Sequence, residues 1–241
     1  MLIVRAGTIH PVKIQSANRP SKSPPIKPIV VFVSGRGTNL QALLNAAEAE
    51  RWEQELAAKV VAVVSSSADA DALGVARAHH VPVHILVPEQ FGSRAAFDEA
   101  LARTVERYAP VMIVLAGFMR VLTPAFVRRY VGRMINIHPS LLPSFPGLNT
   151  HQRALDAGVR VHGATVHFVS EDVDAGPIIA QAAVAVHAND DKVSLGARVL
   201  QQEHRLLPYA VRQVLEGRVL FSERRALVVG IERDELALLA S

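Results

Sequence analysis

The amino-acid sequence predicts the α/β class, a mostly parallel twisted sheet flanked by helices, with antiparallel strand in the C-terminal half. Three observations carry this. Short, wholly apolar, β-branched runs recur through the first 137 residues; strands buried on both faces read this way. These runs alternate with stretches whose apolar residues fall at helical spacing, the pattern of a right-handed parallel sheet. Beyond Pro139 the alternation lapses into a Pro/Gly-rich stretch and two apolar runs joined by only eight residues, too few for a parallel crossover. The architecture is Rossmann-like.

Taken in order, Ile29–Ser34 (IVVFVS) is the first strand, and Asn39–Ala49 is a helix with Leu40, Leu43 and Leu44 on one side. Lys59–Ser65 and Val81–Val87 are the second and third strands. Phe91–Tyr108 is helical, capped by Ser93, with Phe97, Leu101, Val105 and Tyr108 recurring on one face. Val111–Ala116 is a strand, Thr123–Tyr130 a short helix and Met134–Ile137 a fifth strand. Ser140–Thr150 holds two prolines and a glycine, directly after Pro139, and reads as loop. Ala164–Val169 and Ile178–Val186 form the antiparallel pair. A long helix starts near Asp190, with Pro208 expected to kink it and Gly217 to stop it.

Composition sets the outer limits. The chain has 241 residues, is 50% hydrophobic and contains no cysteine. That supports a full core and excludes a disulfide framework, thiolate metal sites and a thiol nucleophile. No apolar run is long enough to span a bilayer, so a cytoplasmic protein with no membrane partner is expected. The net charge of +4 is concentrated at one end. Residues 1–28 carry Arg5, Lys13, Arg19, Lys22, Lys27, five prolines and no acid, leaving −1 for the rest. We read 1–28 as a disordered basic extension and 29–241 as a single domain. Its folded part gives no argument for nucleic-acid binding.

Three constellations have chemical promise. Ser34-Gly35-Arg36-Gly37-Thr38-Asn39 joins the first strand to the first helix. Amides of such a turn, backed by a helix N-terminus, cradle phosphate; the plain alternative is a tight turn that needs glycine. Neither the dinucleotide fingerprint nor a Walker loop is present, since Leu40 stands where a third glycine would be and no Gly-Lys-Ser/Thr follows. Asn136 and His138, two apart in a strand, point to one side at its carboxyl end, where open α/β sheets place active sites. An amide there donates to a developing oxyanion and an imidazole moves protons; a capped strand end is the alternative. Asp174 precedes Gly176-Pro177 and would orient a histidine if it reached one, or merely shape the turn. Six of the ten histidines lie in the C-terminal half (His138, His151, His162, His167, His187 and His204) but lack a ligand cluster. No metal is expected. His162 and His167 read as strand-associated histidines, and Trp52 as packing.

Four ordered segments make the sequence similar to the phosphoribosylglycinamide formyltransferases, folate-dependent enzymes of purine synthesis. They are Ser34–Gln41 (SGRGTNLQ), Leu115–Leu122 (LAGFMRVL), Asn136–Pro143 (NIHPSLLP) with Pro146-Gly147-Leu148, and His162-Gly163 through Asp174-Ala175-Gly176-Pro177. The resemblance covers residues 29 to about 220. It implies the formyltransferase fold, with 29–122 as a phosphate-binding half, 123–220 as a catalytic and folate-binding half and 221–241 as a C-terminal extension. It implies transfer of formyl from 10-formyltetrahydrofolate, a co-substrate, to glycinamide ribonucleotide, by a monomer or homodimer. Asn136, His138 and Asp174 would be catalytic. Gly37, Thr38, Asn39 and Glu203 would bind the ribonucleotide. Arg94, Met119, Arg120, Val121, Leu122 and Asn136 would bind the folate, along with the 171–174 loop. Another reading of the same site is a formyltetrahydrofolate hydrolase or a different folate-dependent formyltransferase. A hydrolase would carry a regulatory domain in front, for which 28 residues leave no room.

Overall fold

A computed structural model describes residues 25–222, together with 10–11 and 225–228. Most of the basic extension and the end of the C-terminal extension lie outside the described residues. Within them, the strands are β1 (His10–Pro11), β2 (Lys27–Val33), β3 (Ala58–Ser65), β4 (Val83–Ile85), β5 (Met112–Leu115), β6 (Met134–His138), β7 (Val161–Phe168), β8 (Ile178–Ala185), β9 (Val219–Ser222) and β10 (Arg225–Val228). The helices are α1 (Thr38–Ala49), α2 (Trp52–Glu55), α3 (Ala72–Ala78), α4 (Arg94–Glu106), α5 (Pro124–Arg129), α6 (Thr150–Asp156) and α7 (Lys192–Leu215).

Seven strands form one sheet in the order β4-β3-β2-β5-β6-β7-β8. The first five are parallel; β7 runs antiparallel to β6, and β8 to β7. The two central runs explain why. Ile29–Val33 and Ile113–Val114 are fully buried, as strands covered by helices on both faces must be. Leaving β2 the chain winds outward to β3 and β4, then returns to β5 and winds the other way. The carboxyl ends of β2 and β5 are thus a topological switch point, where such sheets bind ligands. A small separate sheet joins β1, β9 and β10, with His10 opposite Phe221.

Local chemistry sets the helix ends. Ser93 accepts from the Ala96 amide at the start of α4, and Thr123 accepts from the Phe126 amide at the start of α5. Asp191 and Ser194 form a capping box on α7. Gly217 closes α7, with its amide on Val214 O and the Arg218 amide on Gln213 O, a Schellman arrangement. Pro208 does not divide α7, which runs unbroken over 24 residues with Pro208 buried inside it. Packing explains this. Leu195, Val199, Leu206, Leu207 and Val211 are fully buried against the sheet; at about 1.5–3 kcal/mol each, they outweigh one lost backbone bond.

Three short helices depart from the sequence reading. Trp52 begins α2, a further short helix, and packs in the core as expected. The segments of α3 and α6 are only seven residues long, too brief to show a period. The third strand shrinks to Val83–Ile85, because it is the sheet edge and pairs on one side only.

Candidate active site

Four histidines, one aspartate and one asparagine meet beside the carboxyl end of β6. Asn136 and His138 project from one face of that strand. Opposite them the antiparallel register sets His167 against Asn136. Asp174 arrives on the loop between β7 and β8, in a left-handed conformation (φ 54°). Gly176 permits that loop, since a Cβ there would come within 1.8 Å of the Phe168 carbonyl oxygen.

Hydrogen bonding assigns each group a sense. Nδ1 of His167 donates to the Phe168 carbonyl at 2.9 Å, so its Nε2 accepts from Asn136 Nδ2 at 3.2 Å. The Asn136 amide is thereby held with nitrogen inward and keeps a second N–H for the cleft. Burial pushes the His167 imidazole below its ordinary range, against the smaller opposing effects of the Phe168 carbonyl and Asp174. It is a neutral support. His138 differs, because acceptors face both of its nitrogens: Nε2 donates to the Phe145 carbonyl at 3.1 Å, and Nδ1 lies 3.3 Å from Asp174 Oδ2. That second contact is a hydrogen bond only when ring and carboxyl hold one proton between them. Asp174 Oδ2 also accepts from the Gly147 amide at 2.8 Å.

The loop from Pro139 to Asn149 is anchored to the sheet. Thr165 Oγ1 donates to Ser140 O at 2.7 Å and accepts from the Leu142 amide at 3.0 Å, and Gln181 donates to the Leu142 carbonyl. Beneath it, His151 and His162 touch at 3.2 Å. Burial, then neighbouring His151, depresses His162 to about 4; burial and nearby His138 lower His151.

A cavity of about 410 Å³ opens on Asn136, His138, His167 and Asp174 and continues along Met119, Arg120, Val121 and Leu122. Exposed Met119, Val121, Leu148 and Val173 give it an apolar mouth. A neighbouring cavity of about 430 Å³ shares Met119, Arg120 and Val121 and adds Arg94, Phe91 and Phe97. The six expected folate contacts are divided between these two adjoining cavities, which together suit a ligand with an apolar body and an anionic end.

Gly37, Thr38, Asn39 and Glu203 form a separate group that does not line this cavity. Gly37 (φ 79°) precedes α1, and a Cβ there would meet Ala72 Cα at 2.5 Å. Asn39 Nδ2 donates to Glu203 Oε2 at 2.6 Å, while Asn39 Oδ1 is buried without a partner. Desolvation raises the buried Glu203 carboxyl, against the Asn39 bond and the Arg36 charge. Ser34 connects the two groups: its Oγ accepts from the Met119 amide at 2.9 Å and lies 2.7 Å from Ser66 Oγ.

The sequence reading missed His167 as a site residue and the Phe145 carbonyl as a partner of His138. The antiparallel register across from Asn136 would have found the first. Among the described residues, no group of three or more His, Asp or Glu could hold a metal ion, and no helix is long and apolar enough to cross a membrane.

The family model described as "Formyl transferase" matches residues 27–211. The chain is 45% identical over 202 residues to phosphoribosylglycinamide formyltransferase of Escherichia coli (strain K12), covering 84% of this chain and 93% of that one. Glycinamide ribonucleotide transformylase 1 from Symbiobacterium toebii superposes with a TM-score of 0.80 at 43% identity, covering 84% of this chain and 94% of that one. A formyltetrahydrofolate deformylase from Pseudomonas syringae pv. tomato str. DC3000 gives 0.76 at 30% identity, covering 84% of this chain but 66% of that one. The chain belongs to the formyl transferase family.

Proposed function

We propose that this enzyme transfers the formyl group of 10-formyltetrahydrofolate to the amine of 5′-phosphoribosylglycinamide, giving formylglycinamide ribonucleotide and tetrahydrofolate in purine biosynthesis. The observation that carries this reading is the hydrogen-bonded set of Asn136, His138, His167 and Asp174 at the inner end of an apolar cleft. A phosphate-type loop after β2, separated from β6 by β5, supports it.

The chemistry follows from the residues. Asn136 presents its free N–H to the formyl oxygen, where negative charge grows as the amine nitrogen bonds to the formyl carbon. His138 stands beside that centre and accepts or relays the proton the amine loses. Asp174, 3.3 Å from His138 Nδ1, orients the ring, stabilises the positive charge that forms when that nitrogen takes the proton, and promotes return of a proton to the departing folate nitrogen as the carbon–nitrogen bond breaks. His167 keeps the Asn136 amide correctly turned. On the phosphate side, the amides of Thr38 and Asn39 at the start of α1 take the ribonucleotide phosphate beside Gly37. Glu203 takes the ribose end, held by Asn39. Arg94 and Arg120 meet the folate glutamate tail, and Met119, Val121 and Leu122 its rings.

Removal of one oxyanion donor typically costs about 10²–10³ in turnover. Asn136→Ala is therefore expected to lose that much kcat while keeping its far-UV circular dichroism and melting transition. Near-normal turnover in this variant would sink the assignment. The hydrolase reading has less support: the Gly37 to Asn39 loop serves a phosphorylated acceptor and has no task in hydrolysis.

A further inference from the structure

Arg120 is already engaged. Its Nη2 lies 2.6 Å from Glu89 Oε1, on the short Pro88–Gln90 turn at the rim of the second cavity. Arg94 borders the same cavity and has no ion-pair partner among the described residues. Glu89 is mostly exposed and Arg120 is partly exposed, so the pair lies at the solvent-facing edge of the cavity. The Glu89 backbone amide and the Arg120 bond hold the Glu89 carboxyl below the usual range, so it stays ionised near neutral pH.

We propose that Glu89 is a specificity-determining residue that competes with the terminal carboxylate of the folate for Arg120 and so sets how strongly glutamylated folates bind. This rests on the reading of the cleft as the folate site. A guanidinium recognises a carboxylate best through two parallel N–H bonds, and one of its amino groups is occupied by Glu89. An incoming carboxylate must displace Glu89 or sit beside a like charge, and either outcome subtracts from binding. Arg94, unpaired on the same cavity, supplies the anchor that Glu89 does not contest. A folate without glutamate makes no demand on Arg120 and gains nothing from removal of Glu89. Longer glutamate tails bring more negative charge past the rim and gain more.

The test compares KM and kcat of the full chain and its Glu89→Gln variant with three co-substrates: 10-formyltetrahydrofolate, its triglutamate, and 10-formyltetrahydropteroate, which lacks glutamate. The expected result is a KM lowered about two- to fivefold for the monoglutamate, the range that one surface ion pair supplies. The fall is at least as large for the triglutamate, with no change for the pteroate and an unchanged kcat throughout. In an Arg120→Ala background the Glu89→Gln gain disappears. An unchanged KM, an equal fall with the pteroate, or a rise in KM from loss of an orienting partner would overturn the proposal. Should the unmodified chain transfer no formyl group from any of the three, the reading of the site fails instead, an outcome separate from these.

Discussion

Asp174 Oδ2 lies 3.3 Å from Nδ1 of His138 while it accepts a 2.8 Å hydrogen bond from the Gly147 amide. One carboxylate thus ties the β7–β8 loop to the loop after β6 and to the imidazole between them. Asp174→Asn keeps the shape but loses the negative charge beside the imidazole. Turnover is expected to fall by at least about a hundredfold, with KM for both substrates within a few-fold and the melting temperature little changed. A variant that loses turnover only through lost folded protein would show in the melting transition and count against the assigned role.

Glu203 is buried, and its carboxyl is raised by that burial. The ionised form carries a desolvation cost that the Asn39 bond and the Arg36 charge offset only in part, and an amide of the same shape avoids it. Glu203→Gln, still able to accept from Asn39, should melt higher by about 2–4 °C, as a gain of about 1 kcal/mol produces in a chain of this size. The same variant is expected to raise KM for the ribonucleotide at least about tenfold, since the ribose loses a charged acceptor. Calorimetry and steady-state kinetics on one preparation check both halves.

The histidines under the active-site loop set an acid limit. His162 sits at about 4 in the folded protein, against about 6.5 when unfolded. Between those values the unfolded chain binds a proton that the folded chain refuses, so stability falls as pH drops from about 6.5 toward 4. The loss attributable to this site is at most about 3 kcal/mol. His151 and His167, both lowered chiefly by burial, act in the same direction. Urea denaturation from pH 7 to pH 4 should show the decline, and His162→Gln should flatten part of it. A stability that rises toward pH 4 would contradict this account.

Gly37 precedes α1 at φ 79° with Ala72 Cα where a Cβ would sit. Gly37→Ala must move the loop or α3. The expected cost is about 1–3 kcal/mol of stability, with KM for the ribonucleotide rising more than KM for the folate. Equal rises in the two constants would separate this loop from phosphate binding.

The fold was legible where local chemistry decides it. Buried β-branched runs marked the central strands, and Ser93 and Thr123 marked helix starts, because strand burial and capping act over a few residues. Gly217 marked a helix end for the same reason. The site was legible in part. Asn136 and His138 share one strand and so betray each other by spacing. His167 reaches Asn136 only through antiparallel register, and Asn39 reaches Glu203 across 164 residues; no local pattern encodes such meetings. The helices α3 and α6 stayed hidden because seven residues hold barely two turns. The Glu89–Arg120 pair also spans separate elements and was invisible until both were placed.

The central claim is that the cleft moves a formyl group to an amine rather than to water. Its most direct test follows folate absorbance during a single turnover of 10-formyltetrahydrofolate, with and without glycinamide ribonucleotide, and measures formate in parallel. The account predicts that tetrahydrofolate forms only when the ribonucleotide is present, with one formylglycinamide ribonucleotide per folate and no matching formate. Tetrahydrofolate and formate appearing together at the same rate without the amine would contradict it.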